Sequence, residues 1–519
     1  MKSKITAIKD YTIGSIDKRI YGSFLEHLGR AIYEGIYEPE HPKADENGFR
    51  KDVMELITDL NMPTVRYPGG NYISSFNWED SVGPIENRPT RLDLAWKTRE
   101  TNEFGLNEFI TWCKKTNIEP MYAINLGTKG IDSARNVLEY CNHPSGSYWS
   151  DLRIKHGYKD PHNIKMWCLG NEMDGEWQVG HKTAYEYGRL VHEVAKSMRK
   201  FDSSLELIVA GSSSEMMSTY PDWEREILEN SYESIDYIAL HKYWTNYEKN
   251  TSSYLSSSIP LQDYITTVEG TINYVKAKKR SKKNIKISFD EWNPWYHTRD
   301  VQMMIGSPDT ALDMTTQDYL DNNLSDWPKA PPLYEDMYNL LDALLVGTVI
   351  NTFINNSHIL KIACMAQLVN VIPAISTVKN GISWRQSIYY PLYFASVYGR
   401  GVSLKLKVDV AEYSSDIADN IPYLDASAVL NEEENTVSFF LVNRSENESI
   451  DLNFNLYNLE IKNILDQKLI THSDIYVSNT KDNPSAIIPQ DNKSISIIDK
   501  KIIGSIPKLS YIFLRVKLL

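Results

Sequence analysis

Short apolar runs alternate with longer helical patterns along the first three quarters of the chain. The helical stretches, such as 49–60 and 184–201, repeat apolar residues at spacings of three and four, as an amphipathic helix does. Runs of four to seven residues between turn signals are typical of buried strands, and they occur at 20–24, 64–67, 120–124, 164–169, 205–210, 235–240, 285–289 and 360–366. Eight strands alternating with helices predict an α/β fold, a parallel (β/α)8 TIM barrel.

The pattern changes near residue 390. Strand-like runs at 427–430, 436–442, 450–457, 494–498 and 510–516 are separated by turns rich in Asn, Asp, Ser and Lys. This spacing predicts an antiparallel, jelly-roll-like β-sandwich after the barrel. We therefore expect a barrel over 18–389 and a sandwich over 390–519. A loosely alternating strand within 1–17 is expected to join the sandwich, because chain termini often lie close together.

The longest insertion in the predicted barrel covers residues 298–334 and follows the seventh strand. It is polar and contains several prolines. A segment at that position hangs over the barrel mouth, and both a lid and a contact between subunits are reasonable interpretations. The pattern does not choose between them.

The composition narrows the classes of partner. The 519 residues carry a net charge of −13, and the densest basic run, 276–283, leads into an apolar strand, so we expect no nucleic-acid partner. No apolar run approaches the ~20 residues of a membrane span, and no hydrophobic segment follows the first five residues. Four scattered cysteines without a C-x-x-C pair indicate buried free thiols. We therefore expect a cytoplasmic protein that binds no membrane.

Polar residues with hydrogen-bonding or acid–base capacity follow the predicted barrel strands. A single polar residue after a strand carries little information because loops are polar, but a parallel barrel brings all its strand ends to one mouth. The group comprises Glu26, Arg66, Asn71, Asn171, Glu172, His241, Tyr243, Asp290, Glu291 and Gln367. Their expected convergence predicts a catalytic site.

Two of these side chains, Glu172 and Glu291, have the arrangement that glycoside hydrolysis needs. They follow the fourth and seventh strands, which lie across the mouth from each other. The two carboxyl groups of such enzymes are about 5–5.5 Å apart for retention and about 6.5–9.5 Å apart for inversion. Asp290 stands beside Glu291, and the pattern does not choose the nucleophile between them. His27 and His241 lack a third ligand at metal-binding spacing, so we expect no metal.

These motifs resemble those of a known family. Leu169-Gly-Asn-Glu172 and Phe289-Asp-Glu-Trp-Asn293 are similar to the motifs on strands four and seven of a large superfamily of retaining glycosidases, in which a β-sandwich follows the barrel. Within that superfamily, the chain resembles the family 51 α-L-arabinofuranosidases from about residue 19 to the C-terminus. The further matching motifs are Phe24-Leu-Glu-His27, Val65-Arg-Tyr-Pro-Gly-Gly-Asn71, Leu240-His-Lys-Tyr243 and Ala366-Gln-Leu-Val-Asn370.

The resemblance implies a role for each site residue. Glu172 would be the general acid/base, and Glu291 the nucleophile of a double displacement with retention. Arg66 would help to keep Glu291 ionised, because a nearby cation favours the charged form. Asn171 would contact the 2-hydroxyl of the furanose, and His241 and Tyr243 would also orient Glu291. The substrate-binding set would comprise Glu26, Asn71, Trp96, Asn171, His241, Tyr243, Trp295 and Gln367.

The activity implied by the resemblance is exo-acting release of terminal α-L-arabinofuranosyl residues from arabino-oligosaccharides or arabinoxylan fragments, by a homohexamer without a cofactor. A β-xylosidase or an endo-β-1,4-glucanase on the same barrel is an alternative. A closed pocket would favour the exo enzyme, and an open cleft the endo enzyme. A non-catalytic carbohydrate-binding protein is the alternative from another class, although such proteins usually lose one of the two carboxylates and both are present here.

Overall fold

The computed structural model describes residues 1–296, 327–499 and 501–519. Eight parallel strands form a closed barrel in chain order, each strand pairing with the next and the last with the first. The predicted (β/α)8 barrel is confirmed. Its strands are β1 (Gly22–Phe24), β2 (Thr64–Tyr67), β3 (Glu119–Ile124), β4 (Met166–Leu169), β5 (Glu206–Ala210), β6 (Tyr237–Trp244), β7 (Lys286–Pro294) and β8 (Leu360–Met365).

Helices connect the strands and cover the outside of the barrel. Helix α5 begins with a capping box, in which the Thr183 hydroxyl accepts from the Glu186 N–H and the Glu186 carboxylate accepts from the Thr183 N–H. The helices are α1 (Lys51–Asp59), α2 (Leu106–Thr116), α3 (Ile131–Asn142), α4 (Tyr148–Lys155), α5 (Ala184–Phe201), α6 (Asp222–Ser231), α7 (Thr251–Leu255), α8 (Ser258–Lys279), α9 (Leu340–Asn355) and α10 (Tyr389–Tyr398).

Only β2 has its predicted bounds, and the differences at β1, β6 and β7 bear on the site. The chain enters the barrel through a 3-10 helix, Lys18–Tyr21, which Asp17 caps by accepting from the Arg19 N–H, so β1 is shorter than predicted. Strands β6 and β7 run on to Trp244 and Pro294. His241, Tyr243, Asp290 and Glu291 therefore lie on the strands themselves and not after them. Hydrogen bonding between the two strands holds these residues more rigidly than a loop would.

Two facing sheets form the β-sandwich. A hydrophobic core lies between them, where Phe439 of one sheet meets Phe454 of the other at a centroid distance of 5.0 Å. The seven-stranded sheet has the order Thr12–Ser15, Val402–Leu404, Leu424–Asn431, Thr436–Asn443, Ser510–Leu518, Ile461–Ile470 and Gln490–Asp491. The five-stranded sheet has the order Lys407–Asp409, Lys4–Ile8, Ile450–Tyr457, Lys501–Ile506 and Ile495–Ile498.

Both N-terminal strands pair with strands from the other end of the chain. Lys4–Ile8 lies between Lys407–Asp409 and Ile450–Tyr457, and it pairs with the second of these in parallel. The sequence predicts an antiparallel sandwich, but the five-stranded sheet contains this one parallel pair and is therefore mixed. The predicted division at 389/390 stays a prediction. Helix α10 begins at that point, follows β8 as earlier helices follow their strands, and stacks Phe394 on Phe513 at 4.7 Å.

Short elements complete the description. Two-residue and three-residue strands pair as Arg91–Asp93 with Thr98–Glu100, Ile375–Thr377 with Ser383–Arg385, and Glu412–Tyr413 with Ile421–Pro422. Further 3-10 helices cover Asn71–Ser75, Trp78–Ser81 and Ile85–Asn87. Among the described residues no helix has both the length and the apolar composition to cross a membrane. The four cysteines are buried and form no disulfide within the described structure, and most of the predicted insertion lies outside the described residues.

Candidate active site

A cavity with an empty volume of about 380 Å³ opens at the carboxyl ends of the barrel strands. Predicted site residues form much of its wall: Glu26, Asn71, Trp96, Glu172, Tyr243, Glu291, Trp295 and Gln367. Arg66, Asn171 and His241 are buried behind this wall. The remaining lining residues are Phe24, Leu28, Gly70, Tyr334, Val371 and Ile372. The structure thus brings the predicted residues together around one small pocket.

The Glu291 carboxylate is held from two sides. Its Oε1 accepts a hydrogen bond from Arg66 Nη1 at 2.5 Å, and its Oε2 accepts one from the Tyr243 hydroxyl at 2.8 Å. Asp290, the alternative nucleophile in the sequence, does not line the pocket; its Oδ1 lies 2.9 Å from His241 Nε2. Of these two carboxylates, only Glu291 faces the space that a substrate can enter.

Glu172 sits on a sharp turn directly after β4. Gly170 has a φ of 92° and Glu172 itself a φ of 44°, a left-handed conformation that is uncommon for a residue with a side chain. The Glu172 Oε1 atom lies 2.9 Å from His241 Nδ1, and its Oε2 accepts from the indole N–H of Trp177 at 2.8 Å. Each oxygen of this carboxyl group is therefore held in place by a neighbouring side chain.

The separation of the two glutamates matches one class of glycosidase. An oxygen of Glu172, an oxygen of Glu291 and a ring nitrogen of His241 all lie within 4.8 Å of one another. This spacing fits the short carboxyl separation of retaining enzymes, about 5–5.5 Å, better than the separation of about 6.5–9.5 Å in inverting ones. The three groups are close enough to share a cation, but Arg66 and a protonated His241 already supply positive charge there.

His241 links two carboxylates, those of Glu172 and Asp290. Its two ring nitrogens each lie 2.9 Å from a carboxylate oxygen, on Glu172 and on Asp290, and only the imidazolium can donate from both nitrogens. Burial by itself disfavours the charged ring, but the charge of Glu291 and the hydrogen bonds to Asp290 and Glu172 outweigh it and raise the pKa of His241 to about 10. The ring is therefore a buried cation at neutral pH.

Arg66 is the second buried cation. Besides Glu291 it donates to Asn171 Oδ1 at 2.7 Å, its Nε lies 3.8 Å from Asp290 Oδ2, and its guanidinium lies over the Phe24 ring. Burial raises the pKa of Glu291, whereas the charges of His241 and Arg66 oppose that rise. A buried carboxylate between two cations can remain ionised where an unpaired one would take up a proton.

Glu26 is a further carboxyl group in the pocket wall. Its Oε1 accepts from the Tyr72 backbone N–H at 2.9 Å and from Trp96 Nε1 at 3.0 Å, while Gln367 Nε2 lies 3.4 Å from its Oε2. Burial and the nearby charge of Glu291 raise the pKa of Glu26 to about 8. At neutral pH this group therefore carries a proton and can donate a hydrogen bond to a sugar hydroxyl.

The glycine pair before Asn71 lets the chain approach Glu26 closely. A Cβ atom added at Gly70 would lie 2.4 Å from Glu26 Oε2. The Asn71 side chain is fixed through its Oδ1, which accepts from Asn171 Nδ2 at 3.3 Å and from Gln178 Nε2. The Asn71 amide is thereby presented to the pocket with a defined orientation.

Aromatic rings close the rest of the pocket. Tyr243 meets Trp295 edge to face at a centroid distance of 4.9 Å, and Tyr334 contacts both Trp295, at 5.0 Å, and Trp96, at 5.8 Å. Such rings offer flat apolar surfaces beside polar groups, which is the combination that sugar rings need.

Comparisons with known proteins point to one family. The model of the α-L-arabinofuranosidase 1 domain matches residues 56–259, and that of the α-L-arabinofuranosidase C-terminal domain matches residues 290–510. The intracellular exo-α-(1→5)-L-arabinofuranosidase 1 of Bacillus subtilis is 50% identical over 99% of both chains. The solved structure of a family 51 α-L-arabinofuranosidase from Bifidobacterium longum is 36% identical, with a TM-score of 0.92 over 99% of both chains.

The chain belongs to the family 51 α-L-arabinofuranosidases. Another member of known structure, the arabinose complex of the Thermotoga maritima α-L-arabinofuranosidase, is 32% identical, with a TM-score of 0.85 over 100% of both chains. A bifunctional glucanase-xylanase from a metagenome library has a TM-score of 0.58 at 11% identity, over 100% of this chain and 99% of that one. That likeness concerns the fold alone, so it lends no weight to the glucanase alternative.

Some residues of this family 51 site escaped the sequence motifs. Trp177 lies five positions after Glu172, and an indole so close to a candidate acid was a signal that could have identified it. The apolar wall of Leu28, Val371 and Ile372 carried no such signal, because apolar residues beside strands are most often core residues. Tyr334 ends the insertion after β7, where the sequence predicted no site residue.

Proposed function

We propose that this chain is an exo-acting, retaining α-L-arabinofuranosidase that releases terminal arabinofuranosyl residues from arabino-oligosaccharides or arabinoxylan fragments. The observation that carries the proposal is the pair Glu172 and Glu291, with carboxylate oxygens within 4.8 Å at the wall of one small pocket. Relatives from Bacillus subtilis and Halalkalibacterium halodurans, 50% and 49% identical, are named intracellular exo-α-(1→5)-L-arabinofuranosidases. By the same relation we propose an intracellular, cytoplasmic location.

In the first step, Glu291 acts as the nucleophile and Glu172 as the general acid. A carboxylate oxygen of Glu291 bonds to C1 of the arabinofuranose while the bond from C1 to the leaving oxygen breaks. The proton of the Glu172 carboxyl group passes to that leaving oxygen, so the aglycone departs as a neutral alcohol. The product is an arabinosyl ester of Glu291 with inverted configuration at C1.

In the second step, Glu172 acts as the general base. It takes a proton from a water molecule whose oxygen bonds to C1, and the ester bond from C1 to Glu291 breaks. Two inversions give net retention, and both glutamates return to their starting protonation states. Side chains and water supply every group that these steps need, without a cofactor.

The buried cations serve the nucleophile. Arg66 and Tyr243 hold both oxygens of Glu291, which fixes the rotamer, and Arg66 with His241 favours its ionised form. Asn171 is tied to Arg66, so its amide has a fixed orientation toward Asn71 and the pocket. A preorganised site of this kind needs little rearrangement when charge develops at the sugar.

The small, partly aromatic pocket supports an exo mode of action. Glu26, Asn71 and Gln367 place proton donors and acceptors in the same pocket wall as the nucleophile, and Trp96 and Trp295 add aromatic rings to it. A single compact pocket with this lining suits one terminal sugar ring better than an internal segment of a polymer. We also propose a homohexamer, which light scattering would test directly.

Substrate comparison and one substitution test the function. Purified protein should hydrolyse 4-nitrophenyl α-L-arabinofuranoside faster than the 4-nitrophenyl β-D-xyloside or carboxymethylcellulose, and NMR should show the retained anomer first. Glu291→Gln should lower kcat by roughly 10³-fold or more while binding of arabinose survives. Glu193→Gln, at a partly exposed position on α5 away from the pocket, is the control and should be fully active. Faster xyloside cleavage, or an active Glu291→Gln enzyme, would refute the assignment.

A further inference from the structure

Trp177, a hydrogen-bond partner of the proposed acid/base Glu172, is exposed to solvent. Trp177 is 52% exposed, whereas Glu172, His241 and Glu291 are buried. Its ring lies flat against Gly175, where an added Cβ atom would come within 2.4 Å of the indole. Packing of the ring on Gly175 directs the indole N–H to Glu172 Oε2, at 2.8 Å. Trp177 is thus an exposed side chain whose only hydrogen-bond donor is bound to a buried carboxyl group, and packing alone does not explain this arrangement.

The two oxygens of Glu172 have different surroundings. Oε1 faces the buried His241, which donates to it and is itself anchored on Asp290. Oε2 faces Trp177, on the side of the loop after β4, where Trp177 also lines a second, wider cavity. The imidazolium holds Oε1 on the buried side of the carboxyl group, whereas Oε2 lies on the side of the exposed Trp177, so we place the proton that Glu172 donates on Oε2.

We propose that Trp177 is a positioning residue for proton transfer at Glu172 Oε2, an assignment that rests on the function proposed above. In the first step the proton leaves Oε2 for the departing oxygen, and the indole N–H then donates to the anionic oxygen that remains. In the second step the same hydrogen bond holds Oε2 in place while it accepts the proton of the attacking water. Trp177 contacts only the carboxyl group in this scheme, and it acts through Glu172.

This role predicts a dependence on the leaving group. A phenolate that leaves easily needs little protonation, whereas a poor leaving group depends on the acid. Trp177→Phe keeps a ring on Gly175 and removes only the donor. A hydrogen bond to a charged group is worth enough to change rates by about tenfold. Removing this hydrogen bond should therefore slow the cleavage of glycosides with poor leaving groups and leave the cleavage of those with good leaving groups nearly unchanged.

The experiment compares kcat/KM for phenyl and for 4-nitrophenyl α-L-arabinofuranoside, because kcat/KM reports the first step alone. In Trp177→Phe we expect a fall of about tenfold or more with the phenyl glycoside and less than about threefold with the 4-nitrophenyl glycoside, at nearly unchanged KM. Tyr185→Phe, at an exposed aromatic residue on α5, is the matched control and should change neither value.

The outcomes separate the two proposals. Equal losses on both glycosides, or losses confined to KM, would show that Trp177 only binds or packs, and no loss would show that the hydrogen bond is dispensable; each overturns the positioning role. Retained cleavage of the 4-nitrophenyl glycoside shows that the variant has folded. If the unmodified protein cleaves neither arabinofuranoside, the proposed function itself is wrong, whatever the variant does.

Discussion

At the scale of single residues, the pocket holds carboxyl groups that share one space but differ in charge state. Glu291 is paired with Arg66 and Tyr243, while Glu26 in the same pocket has no cation among its hydrogen-bond partners in the described part of the chain. Burial therefore raises the pKa of Glu26 to about 8, and the neighbouring charge of Glu291 adds to the rise. One carboxyl group can act as a nucleophile because the other stays neutral.

The first prediction concerns this neutral group. As pH rises through about 8, Glu26 ionises, loses its donor and places a second negative charge beside Glu291, so kcat/KM should fall along a limb near that pH. Glu26→Gln keeps a neutral donor and should lack this limb, with a loss of about tenfold or less at pH 7. Glu26→Ala should lose more, because no donor or acceptor remains.

The measurement is the pH profile of kcat/KM for an aryl arabinofuranoside from pH 5 to pH 10. Persistence of the same limb in Glu26→Gln would assign it to another group. Disappearance of the limb together with a stable fold, checked by circular dichroism at each pH, would support the neutral carboxyl.

At the scale of elements, the strand ends explain why the site assembles. Strands β6 and β7 pair in register from His241 with Glu291 to Trp244 with Pro294. This extension carries the histidine and the nucleophile on adjacent strands. The shift in register between Ala239 and His241 adds the local irregularity that often marks functional strands.

The barrel could be predicted from the sequence because each strand is buried on both faces and so reads as a continuous apolar run. Four site residues lay beyond the predicted strand ends because polar residues such as His241 and Asp290 interrupt that run although the strand continues. The strand pattern did not choose between Asp290 and Glu291; the family resemblance pointed to Glu291, and the side-chain directions in the structure agree with it. The parallel pairing of Lys4–Ile8 also depends on long-range contacts that no local pattern encodes.

A matched pair of glycines tests helix packing. Gly188 in α5 faces α6 closely enough that a Cβ atom would lie 3.0 Å from Asn230 Cβ and 3.1 Å from Ile227 Cα, whereas a Cβ atom at Gly270 in α8 would meet nothing within 4 Å. Gly270→Ala should stabilise the protein by about 0.5–1 kcal/mol, because alanine restricts the unfolded chain and favours the helix.

Gly188→Ala should instead destabilise by about 1–2 kcal/mol, since α5 and α6 must move apart to admit the methyl group. Urea unfolding of both variants gives the two free energies on one scale. Activity serves as the control because neither position contacts the pocket. Equal stabilisation by both alanines would mean that α5 and α6 can move apart without a loss of stability.

At the scale of the whole molecule, one sheet joins the barrel to the sandwich. The strand Thr436–Asn443 is buried along its entire length. Val437, Phe439 and Leu441 belong to the core between the two sheets, while the alternate residues Phe440 and Val442 belong to the core shared with the barrel. Because its two faces are both covered, this sheet couples the folding of the two parts, and unfolding in a single transition is expected.

Stability also depends on pH through buried carboxyl groups of the barrel. Burial raises the pKa of Asp93 to about 7, of Asp174 to about 6 and of Glu224 to about 7, as it does that of Glu26. Each group keeps its proton in the folded protein at a pH where the unfolded chain has released it. The contribution of such a group is fully present below its unfolded pKa and is lost as pH rises through its folded pKa.

Glu224 offers the sharpest test of this dependence. It is fully buried on α6, and its Oε1 accepts from the Ser212 N–H at 2.7 Å, a bond that Glu224→Gln can keep. Between about pH 4.5 and pH 7 the stability of the unmodified protein should fall relative to that of the variant, by on the order of 3 kcal/mol, because each pKa unit is worth about 1.4 kcal/mol. Urea unfolding at several pH values measures the difference, with the partly exposed Glu226→Gln as control. A constant difference across this range would mean that Glu224 is ionised in the folded protein.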